Sequence, residues 1–426
     1  MSRVAVESAA TRPIARARHE VTRAKDSFGG ALARRVGDSL GPVLAFLRRF
    51  RPMIATRRFG IVTRAEDVRE VLADHQAFTV ALYEPKMSEI TGPFILGLDD
   101  TPLYRRDHAA LRAAIRAEDI PQIAATTLAA ARECVAGAPG RIDVVSALAD
   151  PVTDRVIAEY FGTPGPDTAT QLRWARNLFE HIFLNIGDKR AVRDRALADA
   201  GEMRLHLDAL IAARGAALAA GTEVPDDVLS RLLRQPPAEG GLHHVAIRHN
   251  LIGLIAGWIP TVSKAFAGAI EELLRRPAEL EGAQQAARNG DAELVAAYIF
   301  EAMRFRPQTW AVLRTCVADR TVAVGTRRAT TMREGARVLV AIQSAMFDER
   351  VVTTPREFRV DRPWSDYLHF GHGLHTCFGL HINRVHLPAM AAALLEGPPI
   401  ERAPKPEGEL RWSGPYPVGL TVSFAH

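Results

Sequence analysis

The stretch Phe370-Gly371-His372-Gly373-Leu374-His375-Thr376-Cys377-Phe378-Gly379 decides how this chain is read. Two glycines bracket a tight loop, and a histidine stands two residues before a cysteine. From Leu380 to Leu395 the apolar residues then recur at helical spacing. The cysteine therefore sits just ahead of a helix N-terminus, where unpaired backbone N–H groups and the helix dipole favour a thiolate. Such a sulfur suits the axial position of a haem iron, because thiolate donation promotes O–O cleavage. The bland reading of the same residues is a buried free cysteine in a glycine-rich turn.

Composition narrows the alternatives. The chain has 426 residues, more than one ordinary domain, yet no Pro/Gly/Ser linker, repeat or low-complexity tract divides it. Its three cysteines, Cys134, Cys316 and Cys377, make neither a disulfide framework nor a CxxC pair, and a reducing cytoplasm fits them. Cys134 and Cys316 lie in apolar patterns and read as inert core residues. Met1 to Pro52 is rich in arginine but has no hydrophobic signal region and no long apolar run, so neither a leader nor a membrane span is expected. Leu40 to Phe50 reads as an amphipathic opening helix packed on the body. The net charge of +5 comes from arginines spread among acids rather than gathered in a stripe. It argues against nucleic acid and suits an acidic protein partner such as a small electron carrier.

Helical periodicity dominates from Ala65 onward, with short β patterns at Met53–Arg57 and Gly60–Thr63 and again from Thr315 to Ile342. Helices are expected over about Thr168–Asn185, Lys189–Ala220 and His244–Arg275, the first two separated by a turn at Gly187-Asp188. The third is apolar all round through Leu251-Ile252-Gly253-Leu254-Ile255-Ala256-Gly257, so it must cross the interior.

The cysteine run resembles the haem-binding loop of the cytochrome P450 family, Phe-Gly-x-Gly-x-His/Arg-x-Cys-x-Gly, and fills every constrained position. Asp226-Asp227-Val228-Leu229-Ser230 is similar to that family's lead-in to its central helix, and Pro151 to Pro164 to the helix and turn before it. Nothing before about Arg35 matches. Residues 1–34 are therefore read as an N-terminal basic extension and 35–426 as a single domain. The resemblance implies a mainly α fold with small β-sheets and a long central helix over haem b. It makes Cys377 the iron ligand, and places Phe370, Gly371, Gly379, Ala256 and Gly257 against the cofactor.

It further implies that Glu301 and Arg304 form a buried pair supporting the loop. They stand three apart in Glu301-Ala302-Met303-Arg304, on one helical face. A third basic partner is open among Arg356, Arg359 and Arg362, since Pro355-Arg356-Glu357-Phe358 carries glutamate where the family has a base. Haem propionates need cationic or hydrogen-bonding clamps. By resemblance these are His375, Arg314, and Tyr104 with His108 in place of the usual His and Arg; Arg105, Arg106 and Arg112 have a bland reading as solvated helix charges.

The main departure is distal. The family's Ala/Gly-Gly-x-Asp/Glu-Thr, whose acid and alcohol relay protons, corresponds to Ala256-Gly257-Trp258-Ile259-Pro260-Thr261. Ile259 takes the acid position and Pro260 the alcohol position, and neither can relay a proton. Pro260 is also expected to kink the helix. Thr261, about a hundred degrees further round, either rescues the relay or faces the protein body, the second being preferred. Trp258 reads as core packing or as a pocket wall. With it, Ile259, Val312, Phe78 to Leu96 and Phe179 to Leu184 are expected to wall the substrate pocket.

Three functions follow. The leading one is a cytoplasmic monooxygenase using O2, with electrons from ferredoxin and ferredoxin reductase, on an apolar small molecule. The alternative is a peroxide-dependent peroxygenase or hydroperoxide-rearranging enzyme, which tolerates loss of the acid-alcohol pair. The third is a non-catalytic haem-binding sensor.

Overall fold

A computed structural model describes residues 41–425; the expected extension 1–34 lies outside them. Residues 41–50 are helical and turn Leu44 and Arg48 inward. Arg48 donates to the carbonyl and hydroxyl of Ser344 at 3.1 and 3.0 Å, which holds this opening helix on the body.

The early and late β patterns meet in one five-stranded sheet, while Arg320–Val322 and Thr330–Met332 of the late region pair separately. The order of the five-stranded sheet is Met53–Ala55, Phe59–Val62, Arg337–Val340, Val312–Cys316 and Phe78–Thr79. Phe59–Val62 and Arg337–Val340 run parallel, and the remaining pairs are antiparallel. Within it Arg314 is buried and faces Val338 across the ladder. The C-terminal β structure was not anticipated. Thr421–Phe424 pairs with both Arg141–Asp143 and Ile400–Arg402, and Arg411–Ser413 forms a hairpin with Tyr416–Gly419. These strands span only three or four residues, too few for an alternating pattern, and Gly414, Pro415 and Pro417 break what remains.

The expected helices form with small boundary shifts: Thr168–Phe179, extended by a looser turn over Glu180–Leu184, then Arg190–Ala219, His244–Leu274 and Leu380–Leu395. The central helix His244–Leu274 is long and apolar enough to cross a bilayer, but it is buried in the main hydrophobic core. His243 caps its start by accepting from the Ala246 N–H at 3.3 Å. Asn250 ties it to the helix Pro102–Ala114 through Asp107 at 2.8 Å. Helical geometry continues through Pro260. The helix that follows the cysteine is anchored by His386, buried between the hydroxyls of Thr127 (2.9 Å) and Thr153 (3.2 Å).

Candidate active site

The cysteine loop is shaped by Gly371 and Gly373, both at φ +74°, a left-handed conformation that a side chain would strain. The Cys377 N–H donates to the Phe370 carbonyl at 2.7 Å, closing the loop, and the Leu380 N–H donates to the Cys377 carbonyl at 3.1 Å. The Gly379 N–H is directed at the sulfur of Cys377, a half-buried residue. Burial pushes the Cys377 thiol up from its ordinary value, outweighing the Gly379 N–H and the nearby Arg112 guanidinium. The helix N-terminus favours a thiolate but does not by itself outweigh burial, and a cation at the sulfur would favour it further.

Behind the loop, Glu301 and Arg304 are both fully buried and joined twice, at 2.9 and 2.7 Å. The third base is Arg362, whose Nε reaches Glu301 at 3.0 Å. Arg359 contributes only its backbone N–H, its guanidinium being turned to Asp361. Tyr367 adds a hydroxyl to Glu301 at 3.2 Å. Arg304 in turn donates to the carbonyls of Pro355 (2.7 Å), Met346 and Glu357 (both 3.1 Å), so one guanidinium laces the segment leading to the cysteine. Burial raises the Glu301 carboxyl, but these donors overcome it and hold it below its ordinary value.

Beside the loop the polar groups are left open. Both ring nitrogens of His375 are buried without a partner, and burial, then Arg314, pushes its imidazole down to about 4. Buried Arg314 donates to its own neighbour's carbonyl, Leu313, and has no carboxylate within 4.0 Å among the described residues. Tyr104 gives its hydroxyl proton to the Leu374 carbonyl at 3.1 Å and lays its ring edge-on to His375 at 5.9 Å. His108 stacks on Tyr104 at 5.4 Å and meets Phe378 edge-on at 5.4 Å; burial, then Arg112, lowers its imidazole.

Arg105 and Arg106 are indeed spent on Asp100 and Asp107. Arg112 is not a solvated charge. It is half-buried, with its guanidinium 3.9 Å over the ring of Phe378, the residue after the cysteine. Its place in the register Tyr104, His108, Arg112 was the available signal, each residue one turn beyond the last.

On the central helix between Leu251 and Leu273, only Leu254, Gly257, Thr261 and Lys264 keep appreciable accessible surface. Their spacing of three, four and three makes one stripe. A Cβ placed on Gly257 would meet nothing within 4 Å, whereas one on Gly253 would strike the ring of Phe94. Thr261 therefore faces this open stripe and not the protein body. Its hydroxyl donates to the carbonyls of Gly257 (2.6 Å) and Trp258 (3.0 Å). Ala256, Ile259 and Pro260 are buried off the stripe, Ile259 with no exposure at all. Counting from Ala256-Gly257 put Pro260 in the alcohol's place; the helix surface brings Thr261, not Pro260, onto the open stripe.

Trp258 is not a pocket wall. Its indole N–H donates to Asn383 at 3.1 Å, and its ring packs against Phe161 and His386. Asn383 also donates to the Gly379 carbonyl at 3.0 Å, so the central helix and the cysteine loop are linked through two hydrogen bonds.

A family model described as Cytochrome P450 matches residues 49–397. The chain belongs to the cytochrome P450 family. Mycinamicin IV hydroxylase/epoxidase of Micromonospora griseorubida is 27% identical over 361 residues, covering 83% of this P450 and 85% of that protein. Cyclomarin C epoxidase CymV of Salinispora arenicola is 30% identical over 262 residues, covering 60% and 61%. The solved structure of CalO2 superposes with a TM-score of 0.75 at 24% identity, covering 92% of this chain and 97% of that one. With relatives named as hydroxylases, epoxidases and monooxygenases, this P450 is a monooxygenase whose cofactor is haem b.

The residues fit that cofactor. An unpartnered buried imidazole on His375 and an unpaired buried guanidinium on Arg314 are the donors that haem carboxylates would satisfy. Open space over Gly257 suits a flat group lying against helix backbone.

Farther out, a cavity of about 440 Å³ is lined by residues of the segments 82–89 and 181–193 together with Leu313 and Arg337. It brings together parts of the two segments expected to wall a substrate pocket, with Leu313 instead of Val312 and without Trp258 or Ile259. Ion pairs lace its rim: Glu89 with His181 (2.6 Å) and Arg193 (2.7 Å), and Lys86 with Asp188 (2.7 Å).

Proposed function

We propose that Cys377 is the axial thiolate ligand, and that this P450 oxidises a largely apolar small molecule in the cytoplasm with O2. Electrons would come from a ferredoxin and its reductase. Bound haem supplies the dioxygen activation and electron-accepting chemistry that side chains lack. The chain's own residues hold and serve it. His375 and Arg314 take the propionates, with Arg112 adding positive charge near Cys377. Tyr104 and His108 pack against His375 and Phe378 and fix the loop through the Leu374 carbonyl.

The observation that carries the O2 reading is the Thr261 hydroxyl on the open stripe, one turn from Gly257. Thr261 Oγ1 holds a proton there and keeps lone-pair capacity for water. The acid of the usual pair is missing, but the alcohol is retained one residue later than sequence matching places it.

Two measurements test this. The reduced carbon-monoxide difference spectrum should show a thiolate-type band that Cys377→Ala abolishes; an unchanged band refutes the ligand assignment. Turnover should then be supported by a ferredoxin system. Turnover with hydrogen peroxide and none with ferredoxin would overturn the O2 reading.

A further inference from the structure

Lys264 lies on the stripe of Leu254, Gly257 and Thr261, one turn past Thr261. It has no carboxylate within 4.0 Å and no hydrogen-bond acceptor among the described residues. Its one defined neighbour is the ring of Trp412, whose centroid is 5.9 Å from Nζ. Burial alone pulls its ammonium down to about 8, with no charge nearby to raise it.

This is unusual for the surroundings. Ser263, the preceding residue, donates to Asp150, and Asp150 is paired with Arg176 at 2.6 Å. Further along the same helix Glu271 and Glu272 are each matched by arginines: Arg402 and Arg275 at 2.8 and 2.7 Å, Arg306 and Arg276 at 2.9 and 2.8 Å. Lys264 is a half-buried cation on this helix face whose counter-charge the described residues do not provide. A group in that state either gives up its proton or receives an anion from outside.

We infer that Lys264 binds an anionic group, a carboxylate, on the substrate of this P450, so that the substrate is an apolar body with one acidic end. The inference rests on the monooxygenase reading above and adds the substrate class. Lys264 lies seven residues beyond Gly257, about 10 Å along the helix axis. A carboxylate held at Nζ therefore directs the chain of the substrate back along the stripe, past Thr261 and toward the Cys377 side. The Trp412 ring lies on one side of the ammonium, and Lys264 keeps accessible surface on the stripe it shares with Thr261. Pairing with a carboxylate also restores the charged form that burial disfavours.

The test is optical titration of the holoenzyme with a homologous set of straight-chain probes, octanoate to hexadecanoate, each beside its methyl ester. Acids should bind about tenfold or more tighter than the matching esters. Lys264→Met should abolish that preference while leaving ester binding unchanged, and Lys264→Arg should keep it. Equal binding of acid and ester, no response to any acid, or a preference that survives Lys264→Met overturns the inference. The carbon-monoxide spectrum of the same samples separates the outcomes. Loss of the thiolate-type band in wild type defeats the haem-thiolate reading, whereas an intact band with no acid preference defeats only the role of Lys264.

Discussion

Glu301 is a fully buried charge and Lys264 a half-buried one, and their surroundings are opposite. Glu301 is met by Arg304, Arg362, Tyr367 and a backbone N–H, so every lone-pair direction is used within the chain. Lys264, like Arg314 and His375, is left with open valences. The first kind of charge builds the scaffold that presents the cysteine loop. The second kind marks where the molecule expects something that is not protein. Buried charge alone does not separate structure from function; whether the chain completes it does.

The contrast can be broken by substitution. The largest effect should follow Arg304→Met, which strands Glu301 and frees three carbonyls. It should cost about 3–5 kcal/mol by denaturant unfolding, and a loss under 1 kcal/mol would show the network to be ornamental. Arg314→Met should behave differently, leaving the stability of the haem-free protein unchanged or raised. It should weaken haem retention about tenfold or more, as befits a lost charge-assisted hydrogen bond of about 1.5–3 kcal/mol. Destabilisation of the haem-free protein by this variant would place Arg314 with the scaffold instead.

Lys264 gives a pH-dependent case. Its folded ammonium titrates at about 8, and an unfolded lysine at about 10.4. Between those values the unfolded chain carries a proton that the folded chain has released, so stability rises with pH across this window. Substrate-free holoenzyme should show that rise in thermal melting, and Lys264→Met should flatten it. Below pH 8 the variant should be the more stable by about 1–2 kcal/mol, screening included. The same slope in both proteins would mean that Lys264 is not desolvated. The smallest change in stability, within about 0.5 kcal/mol, is expected for Thr261→Ala. Its signature is chemical: product formed per NADPH should fall severalfold and recover with Thr261→Ser. Full coupling in Thr261→Ala would remove the alcohol from the mechanism.

Much of the proximal side was legible in the residues themselves. The glycines at 371 and 373, the spacing of His375 to Cys377 and the Leu380 to Leu395 periodicity are local features, and local features survive folding. Glu301 with Arg304 was legible for the same reason, being three apart on one helix. Selecting Arg362 over Arg356 and Arg359 required the path of the loop, which spacing does not contain. The facing of Thr261 was misread because one residue of register turns a helix by about 100°, and spacing alone does not say which face is left open. Trp258 was open between two readings until Asn383, from a helix 125 residues away, supplied its partner. Arg112 was overlooked because an arginine among arginines carries no contrast until Phe378 appears beneath it.

The Trp258–Asn383 bond has a consequence for how this enzyme can change. It pins the roll of the central helix to the helix that follows Cys377. Inserting or deleting one residue ahead of Trp258 would have to either break that bond or absorb the shift before the helix begins. Thr261 and Lys264 therefore move as a unit with the indole. Chemistry and substrate choice on this face should drift by exchange of side chains, while rotation of the helix itself is held in check by the helix that follows Cys377.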